Sequence, residues 1–274
     1  MTLALTLFAA CLPTVAGDEW PQWRGPKRDG VWRESGLVER FPSKQIALKW
    51  KVPIAGGYSG PTVAAGRVYV TDRLEKPAEV ERVHCFDWQT GRSLWSHSYE
   101  CKYADFGYRA GPRASVLIDD GRAYSLGATG HLVCLDAAQG TVLWNRDLRA
   151  ESKIRMPNWG IAAAPVIEGD LVIVHIGGEG EACLCAFDKR SGEPRWKALP
   201  DAACYAAPIV IDQAGRRVLV CQTGDRIVGL DAASGRLLWA HPFPWESWPI
   251  GIATPVLHQD LLLVSDAHQG TILL

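Results

Sequence analysis

Aromatic residues recur in the segments that lead into the apolar runs of this sequence, and arginines accompany them. An aromatic ring can stack on a flat ligand, and a nearby guanidinium can bind an anion. The same rings could instead only fill space between packed strands, and both interpretations stay open here. The aromatic residues are Tyr58, Tyr108, Trp159, Tyr205 and Trp248; the arginines are Arg109, Arg113 and Arg155, with Glu246 nearby.

Patterns that would indicate catalysis or metal binding are absent from the sequence. There is no Gly-x-Ser-x-Gly elbow, no His-Glu-x-x-His and no phosphate-binding loop, and the seven His are scattered without ligand spacing. Cys183 and Cys185 flank Leu184 and lack a second ligand pair, so they do not match a zinc signature. We therefore predict no catalytic residue and no metal site.

Seven cysteines follow Cys11, an odd number that leaves at least one unpaired. Cys85 and Cys134 lie at equivalent positions inside apolar runs. We favour the interpretation that these cysteines are small buried apolar residues rather than disulfides, which stay the alternative.

Charge is almost balanced, with 29 Lys and Arg against 30 Asp and Glu and a net charge of −1. The chain therefore lacks the basic surface that binds nucleic acid or anionic lipid. The 27 Gly and 17 Pro indicate many turns, and the 12 Trp indicate a repeated packing anchor.

One pattern, Asp-x3-Gly-x3-Trp, recurs four times, and its period of about 40–50 residues is typical of propeller blades. The Asp can cap a turn, the Gly can take a positive φ, and the Trp can pack on the neighbouring blade. We therefore regard these residues as structural. The four copies are Asp87, Gly91 and Trp95; Asp136, Gly140 and Trp144; Asp188, Gly192 and Trp196; and Asp231, Gly235 and Trp239.

Two more strands precede each copy, so that each unit predicts a four-stranded antiparallel blade of an all-β propeller. No stretch holds a helical period. A fifth Trp, Trp50, ends a matching predicted strand, Leu48-Lys49-Trp50, that lacks the Asp and the Gly. The predicted hairpins span residues 61–70, 114–126, 164–176, 207–221 and 254–265.

The repeat, followed by strands that begin at a proline such as Pro165 or Pro208, resembles the pyrroloquinoline-quinone-like (PQQ-like) repeat family. The stretch Trp20-Pro21-Gln22-Trp23-Arg24-Gly25-Pro26, with Asp29-Gly30 after it, is similar to the N-terminal signature of secreted members of that family. The resemblance implies a propeller of seven or eight blades in an exported bacterial protein.

The resemblance also implies a test for quinone chemistry. Enzymatic members carry two adjacent cysteines under the cofactor and acidic or amide calcium ligands, neither of which can be carried over to this sequence. We predict no cofactor, and PQQ with calcium is the alternative.

About five blades are counted, so we expect a propeller truncated from seven or eight. In the alternative, five blades close by pairing residues 47–52 with the unit Thr254–Leu274. The expected organisation is a signal peptide at 1–17, an N-terminal extension at 18–45 and propeller repeats at 46–274.

The first residues predict export to the periplasm or the exterior, because an apolar run from Thr2 to Ala10 leads to small residues at Ala16 and Gly17. If Cys11 were lipidated, the protein would associate peripherally with a membrane.

The function we predict is a non-enzymatic exported scaffold that binds a protein or a small ligand at a propeller face, by sheet-edge or groove binding of extended peptide. It is similar in kind to the propeller lipoprotein of the outer-membrane barrel-assembly machinery. The alternative is a quinoprotein oxidoreductase of the alcohol-dehydrogenase type, or its inactive relic.

Overall fold

The structure, a computed structural model, describes residues 19–41, 43–104, 106–244 and 250–274. These residues form five antiparallel sheets that follow one another along the chain. The prediction of an all-β propeller is confirmed. One short helix that the sequence did not predict, α1 (Leu148–Ser152), is capped by the Asp147 side chain, which accepts from the Ala150 amide. No helix in this part of the chain is long and apolar enough to cross a membrane.

Nineteen strands make up the sheets, four in each of the first four sheets and three in the fifth. The first and second sheets contain β1 (Thr62–Ala64), β2 (Arg67–Leu74), β3 (Val80–Asp87), β4 (Ser93–Glu100), β5 (Leu117–Asp119), β6 (Arg122–Leu126), β7 (His131–Asp136) and β8 (Val142–Asp147). The others contain β9 (Val166–Glu168), β10 (Leu171–Gly178), β11 (Ala182–Asp188), β12 (Pro194–Ala198), β13 (Ile209–Gln213), β14 (Arg216–Gln222), β15 (Arg226–Asp231), β16 (Leu237–Pro242), β17 (Val256–His258), β18 (Leu261–Asp266) and β19 (Gly270–Leu273).

Strands within each sheet pair in chain order, so the sheets have two different ends. The Asp-x3-Gly turns lie at one end, which we call the motif end. The connections between consecutive sheets lie at the other, which we call the loop end. The first strands of neighbouring sheets contact each other, as β1 does β5 and β9 does β13, so they line the centre.

Each Asp-x3-Gly turn closes in the same way. Asp136 Oδ1 accepts from the amides of Ala138 and Gln139, and the Gly140 amide donates to the Asp136 carbonyl over 2.8 Å. The glycine has a φ of +73°. The turns at Asp87, Asp188 and Asp231 repeat this backbone bond at 2.8 Å, with positive φ at Gly91, Gly192 and Gly235.

Each motif glycine lies under the Trp of the preceding repeat. A Cβ added to Gly140 would stand 2.5 Å from the Trp95 ring, closer than any real contact. The Trp95 indole also donates to the Ala137 carbonyl over 3.2 Å. The glycine therefore serves the turn and the contact between blades at once. The same stacking joins Gly91 with Trp50, Gly192 with Trp144, and Gly235 with Trp196.

The expectation of a strand ending at Trp50 is wrong, because residues 46–52 have no strand pairing and the fifth sheet consists of β17, β18 and β19 alone. The Trp50 ring nevertheless lies on Gly91, and its indole donates to the Trp88 carbonyl over 2.9 Å. The contact of this ring, rather than strand pairing, therefore holds residues 46–52 against the first sheet.

The core lies between consecutive sheets. One cluster joins Tyr69 and Cys85 of the first sheet to Val133 and Leu135 of the second, and three similar clusters join the second to the fifth sheets. The second, third and fourth sheets each pack between two neighbours, so their inner strands, such as β10 and β14, are apolar on both sides.

The stretch from Glu19 to Glu34, which we call the N-terminal segment, lies against the first strands of the sheets. Trp20 pairs with Val63, and the Pro21 carbonyl accepts from the Ile118 amide over 2.8 Å. The Trp23 indole donates to Thr254 Oγ1 over 2.9 Å. Part of the expected N-terminal extension is therefore built into the centre of the molecule.

Candidate ligand-binding site

Four of the five aromatic residues singled out in the sequence form a continuous row at the loop end, which we call the aromatic arc: Tyr58, Tyr108, Trp159 and Tyr205. The ring centroids of Tyr58 and Tyr108 are 6.5 Å apart, and those of Tyr108 and Trp159 are 5.6 Å apart, both edge to face. Trp159 and Tyr205 stack at 5.0 Å. Exposure falls along the arc from 65% at Tyr108 to 8% at Tyr205.

Backbone bonds between neighbouring loops hold the arc in place. The Tyr58 amide donates to the Pro112 carbonyl over 2.8 Å, and the Trp159 amide donates to the Tyr205 hydroxyl over 3.2 Å. Tyr108 has a φ of +52°, a conformation that non-glycine residues seldom adopt. The arc thus spans loops that feed the first four sheets.

The three arginines predicted for this site donate to backbone carbonyls. Arg113 donates to the carbonyls of Gly107, Tyr108 and Gly111, and its guanidinium lies 5.2 Å from the Tyr58 ring centroid. Burial lowers the pKa of Arg113. Through these hydrogen bonds and this ring contact, Arg113 holds the loop from Gly107 to Gly111 and the Tyr58 ring.

Arg109 and Arg155 are bound in the same manner. Arg109 donates to the carbonyls of Phe106 and Ala104, and Arg155 donates to the Pro200 carbonyl over 2.7 Å. All three guanidinium groups therefore stabilise the loops, and ligand binding by them stays a prediction. Trp248 and Glu246 lie outside the described residues.

A buried carboxylate beneath the loops escaped the sequence reasoning. Glu81 on β3 is 0% exposed, accepts from the Tyr99 and Tyr103 hydroxyls, and accepts from the Ala128 amide over 3.0 Å. Burial and the Glu81 charge raise the pKa of both tyrosines. The sequence offers one signal for this site, which is a charged residue at an inward-facing position of a predicted strand.

A second buried carboxylate fixes the chain before the first sheet. Asp72 accepts from the Ala55 amide over 2.7 Å and from Arg82, and His84 Nε2 lies 3.0 Å from it. Burial alone would raise the pKa of Asp72, but bonds from His84 and Arg82 outweigh it and lower the pKa. Both carboxylates stabilise the loop end.

The seven described cysteines are free and buried. Cys183 packs in the cluster between the third and fourth sheets, and Cys185 packs in the cluster between the second and third. Burial raises the pKa of Cys185 to about 12, so its thiol stays protonated. They are packing residues, as the sequence favours.

Five sheets in sequence, the tryptophan and glycine contacts between them and the convergent first strands define a β-propeller built from PQQ-like repeats. A family model described as outer membrane protein assembly factor BamB matches residues 79–272, and the chain belongs to this family. The assembly factor BamB of Bordetella pertussis is 22% identical over 217 residues, 77% of this chain and 49% of that protein.

Dehydrogenases are also similar to this chain. Quinohemoprotein alcohol dehydrogenase ADH-IIG of Pseudomonas putida is 26% identical over 227 residues, 72% of this chain and 30% of that enzyme. The structure of a europium-containing methanol dehydrogenase aligns with a TM-score of 0.73 at 16% identity, over 95% of this chain and 56% of that one. The chain therefore spans under a third of ADH-IIG and about half of both the methanol dehydrogenase chain and the assembly factor.

The described residues do not fit the quinone and calcium that the resemblance to dehydrogenases implies. No two cysteines are adjacent, and Cys183 and Cys185 lie in different interior clusters. In the described ranges no group of three or more His, Cys, Asp or Glu side chains could hold a metal ion.

Proposed function

We propose that this chain is part of an exported, non-enzymatic propeller scaffold that binds a partner protein at its loop end. The observation that carries the proposal is the aromatic arc, in which Tyr58 and Tyr108 are half or more exposed while Trp159 and Tyr205 anchor the row. Exposed rings on a braced framework offer contact area at low cost in conformational entropy.

The partner we propose is an extended peptide with alternating aromatic and polar side chains. The exposed rings can take further aromatic groups edge to face. Membership in a family described as an outer membrane protein assembly factor supports this choice. Strands of outer-membrane barrels alternate in polarity and carry aromatic girdles. The same membership supports an exported, periplasmic or extracellular location.

Fluorescence anisotropy with the full chain tests the proposal, using a fluorescein-labelled peptide in which aromatic and polar residues alternate. We expect the variant carrying both Tyr108→Ala and Trp159→Ala to bind at least about ten-fold more weakly, equal to about 1.4 kcal/mol. Trp88→Ala is the matched control, because this ring is 44% exposed and lies in a turn at the motif end. Unchanged binding by a folded double variant would overturn the proposal.

A quinoprotein oxidoreductase is the second candidate, and the similarity to ADH-IIG favours it. Absorbance titration of the full chain with the quinone and calcium separates the two functions. Saturable quinone binding with dye reduction by an alcohol would establish the oxidoreductase, whereas peptide binding without it supports the scaffold.

A further inference from the structure

Within the described part of the chain, Arg28 is a buried cation whose hydrogen bonds go to neutral acceptors. Its side chain is 7% exposed, and Nη1 and Nη2 donate over 2.9 Å to the carbonyls of Pro165 and Pro208. Nη1 also donates to Gln22 Oε1 over 3.2 Å, while Nε is buried without a hydrogen-bond partner. Buried charges are ordinarily paired with an opposite charge, so a cation in this state requires an explanation.

Three carboxylates line the same space as Arg28: Asp29, Glu168 and Asp212, the last of which accepts from the Gly215 amide over 3.1 Å. Asp29 pairs with Arg33, and this bond lowers the pKa of Asp29 to about 2. Glu168 accepts two bonds from Arg217, at 2.8 and 2.9 Å. None of them forms a salt bridge with Arg28 among the described residues.

A second guanidinium strengthens the positive potential. Arg24 lies close enough that burial and the Arg24 charge together lower the pKa of Arg28 to about 10, so Arg28 remains a cation at neutral pH. Among the residues that the structure describes, Arg24 donates to the carbonyls of Asp29 and Pro255.

Both arginines line a cavity of about 420 Å³ between the N-terminal segment and the first strands of the third, fourth and fifth sheets. Its other walls include the apolar residues Val166, Ile209 and Val256. Apolar walls lower the local dielectric and strengthen attraction to an anion. The volume is within the range of small-ligand sites.

We propose that this cavity is a binding site for a small oxyanion, a carboxylate or a phosphate, held by Arg28 and Arg24. Arg28 and Arg24 both line the cavity and supply the positive charge that attracts the anion. No residue of the aromatic arc lines the cavity, so the site is independent of the proposed function.

Thermal melts of the unmodified chain give the first test. Sodium phosphate and sodium acetate are compared with sodium chloride at equal ionic strength, so that screening is constant. We expect one of the oxyanions to raise the melting temperature by about 3 °C at a concentration some ten times its dissociation constant. The more effective anion identifies the chemistry, and no rise with either would overturn the proposal.

Isothermal titration of variants with the more effective anion gives the second test. Arg28→Gln and Arg24→Gln should each weaken binding about ten-fold or more, whereas Arg236→Gln, an exposed arginine in a motif-end turn, should not. Arg24→Gln leaves the bonds from Arg28 to Pro165 and Pro208 intact. If Arg28→Gln does not fold, Arg24→Gln is therefore the variant that tests the proposal. Equal binding by Arg24→Gln and Arg236→Gln would show non-specific attraction and overturn the site.

Discussion

Several polar residues at the loop end are buried. Asp72 and Glu81 each accept several hydrogen bonds at 0% exposure, and His175 on β10 is 1% exposed. His175 Nδ1 lies 3.5 Å from Cys221 Sγ, and its Nε2 is buried without a partner. Histidine is the side chain whose ordinary pKa lies nearest neutral pH.

Burial lowers the pKa of His175 from 6.5 to about 4, against weaker opposing effects of the Ala206 backbone and Asp201. The unfolded chain therefore binds a proton at higher pH than the folded one. Stability should fall as the pH drops from about 6.5 to about 4, by a total of about 3 kcal/mol from this residue.

Urea denaturation at several pH values checks this expectation. His175→Leu should flatten the slope of unfolding free energy across that window, whereas His241→Leu, a change at an exposed position, should leave it as it is. An unaltered slope in His175→Leu would show that another group causes the loss.

At the scale of the element, the hairpin that carries Asp-x3-Gly-x3-Trp is the unit of construction. Each copy has a register irregularity next to the Trp pair, as between Cys134 and Leu135 where Cys134 faces Trp144. The irregularity keeps the tryptophan pointing at the next blade while the turn stays closed.

A motif glycine must adopt a positive φ and must leave room for a Trp ring. The variants Gly140→Ala and Gly121→Ala separate these two requirements. Both positions have positive φ, +73° and +70°, but only Gly140 has a Trp ring against it. Gly121→Ala should cost about 1–2 kcal/mol from backbone strain. Gly140→Ala should cost about 2–5 kcal/mol because overpacking adds to that strain.

Guanidinium denaturation of the two variants measures the difference. Equal losses would mean that the Trp95 ring moves aside at little cost and that the glycine serves the turn alone.

At the scale of the whole molecule, the N-terminal segment connects all five sheets. The Ala65 amide donates to Glu19, Ile118 to Pro21, and Arg28 reaches the carbonyls that precede β9 and β13. Trp23 reaches Thr254 before β17. One stretch of chain thus holds together sheets that are far apart in sequence.

Removal of this segment should loosen the assembly. A chain that begins at Ser35 should melt at least about 5 °C below one that begins at Glu19, because several central hydrogen bonds are lost together. Scanning calorimetry of both chains measures the shift and the sharpness of unfolding. Coincident melts would show that the sheets hold together without the segment.

The sequence by itself determined the all-β fold, the blade hairpins and the role of the motif residues. It could do so because Asp136, Gly140 and Trp144 act through contacts within one turn or with the adjacent repeat, and their spacing repeats. The positions of Tyr58, Tyr108 and Trp159 in the loops were also readable, because each precedes a recurring strand.

Only the tertiary structure decided what those loops and the N-terminal segment do. The arginines expected at a basic rim bind backbone carbonyls, and Arg28 meets Pro165 and Pro208 across the centre. The contacts of Arg28 join residues more than a hundred positions apart without any local pattern. The charge left unpaired in the central cavity exists only once the five sheets surround the segment.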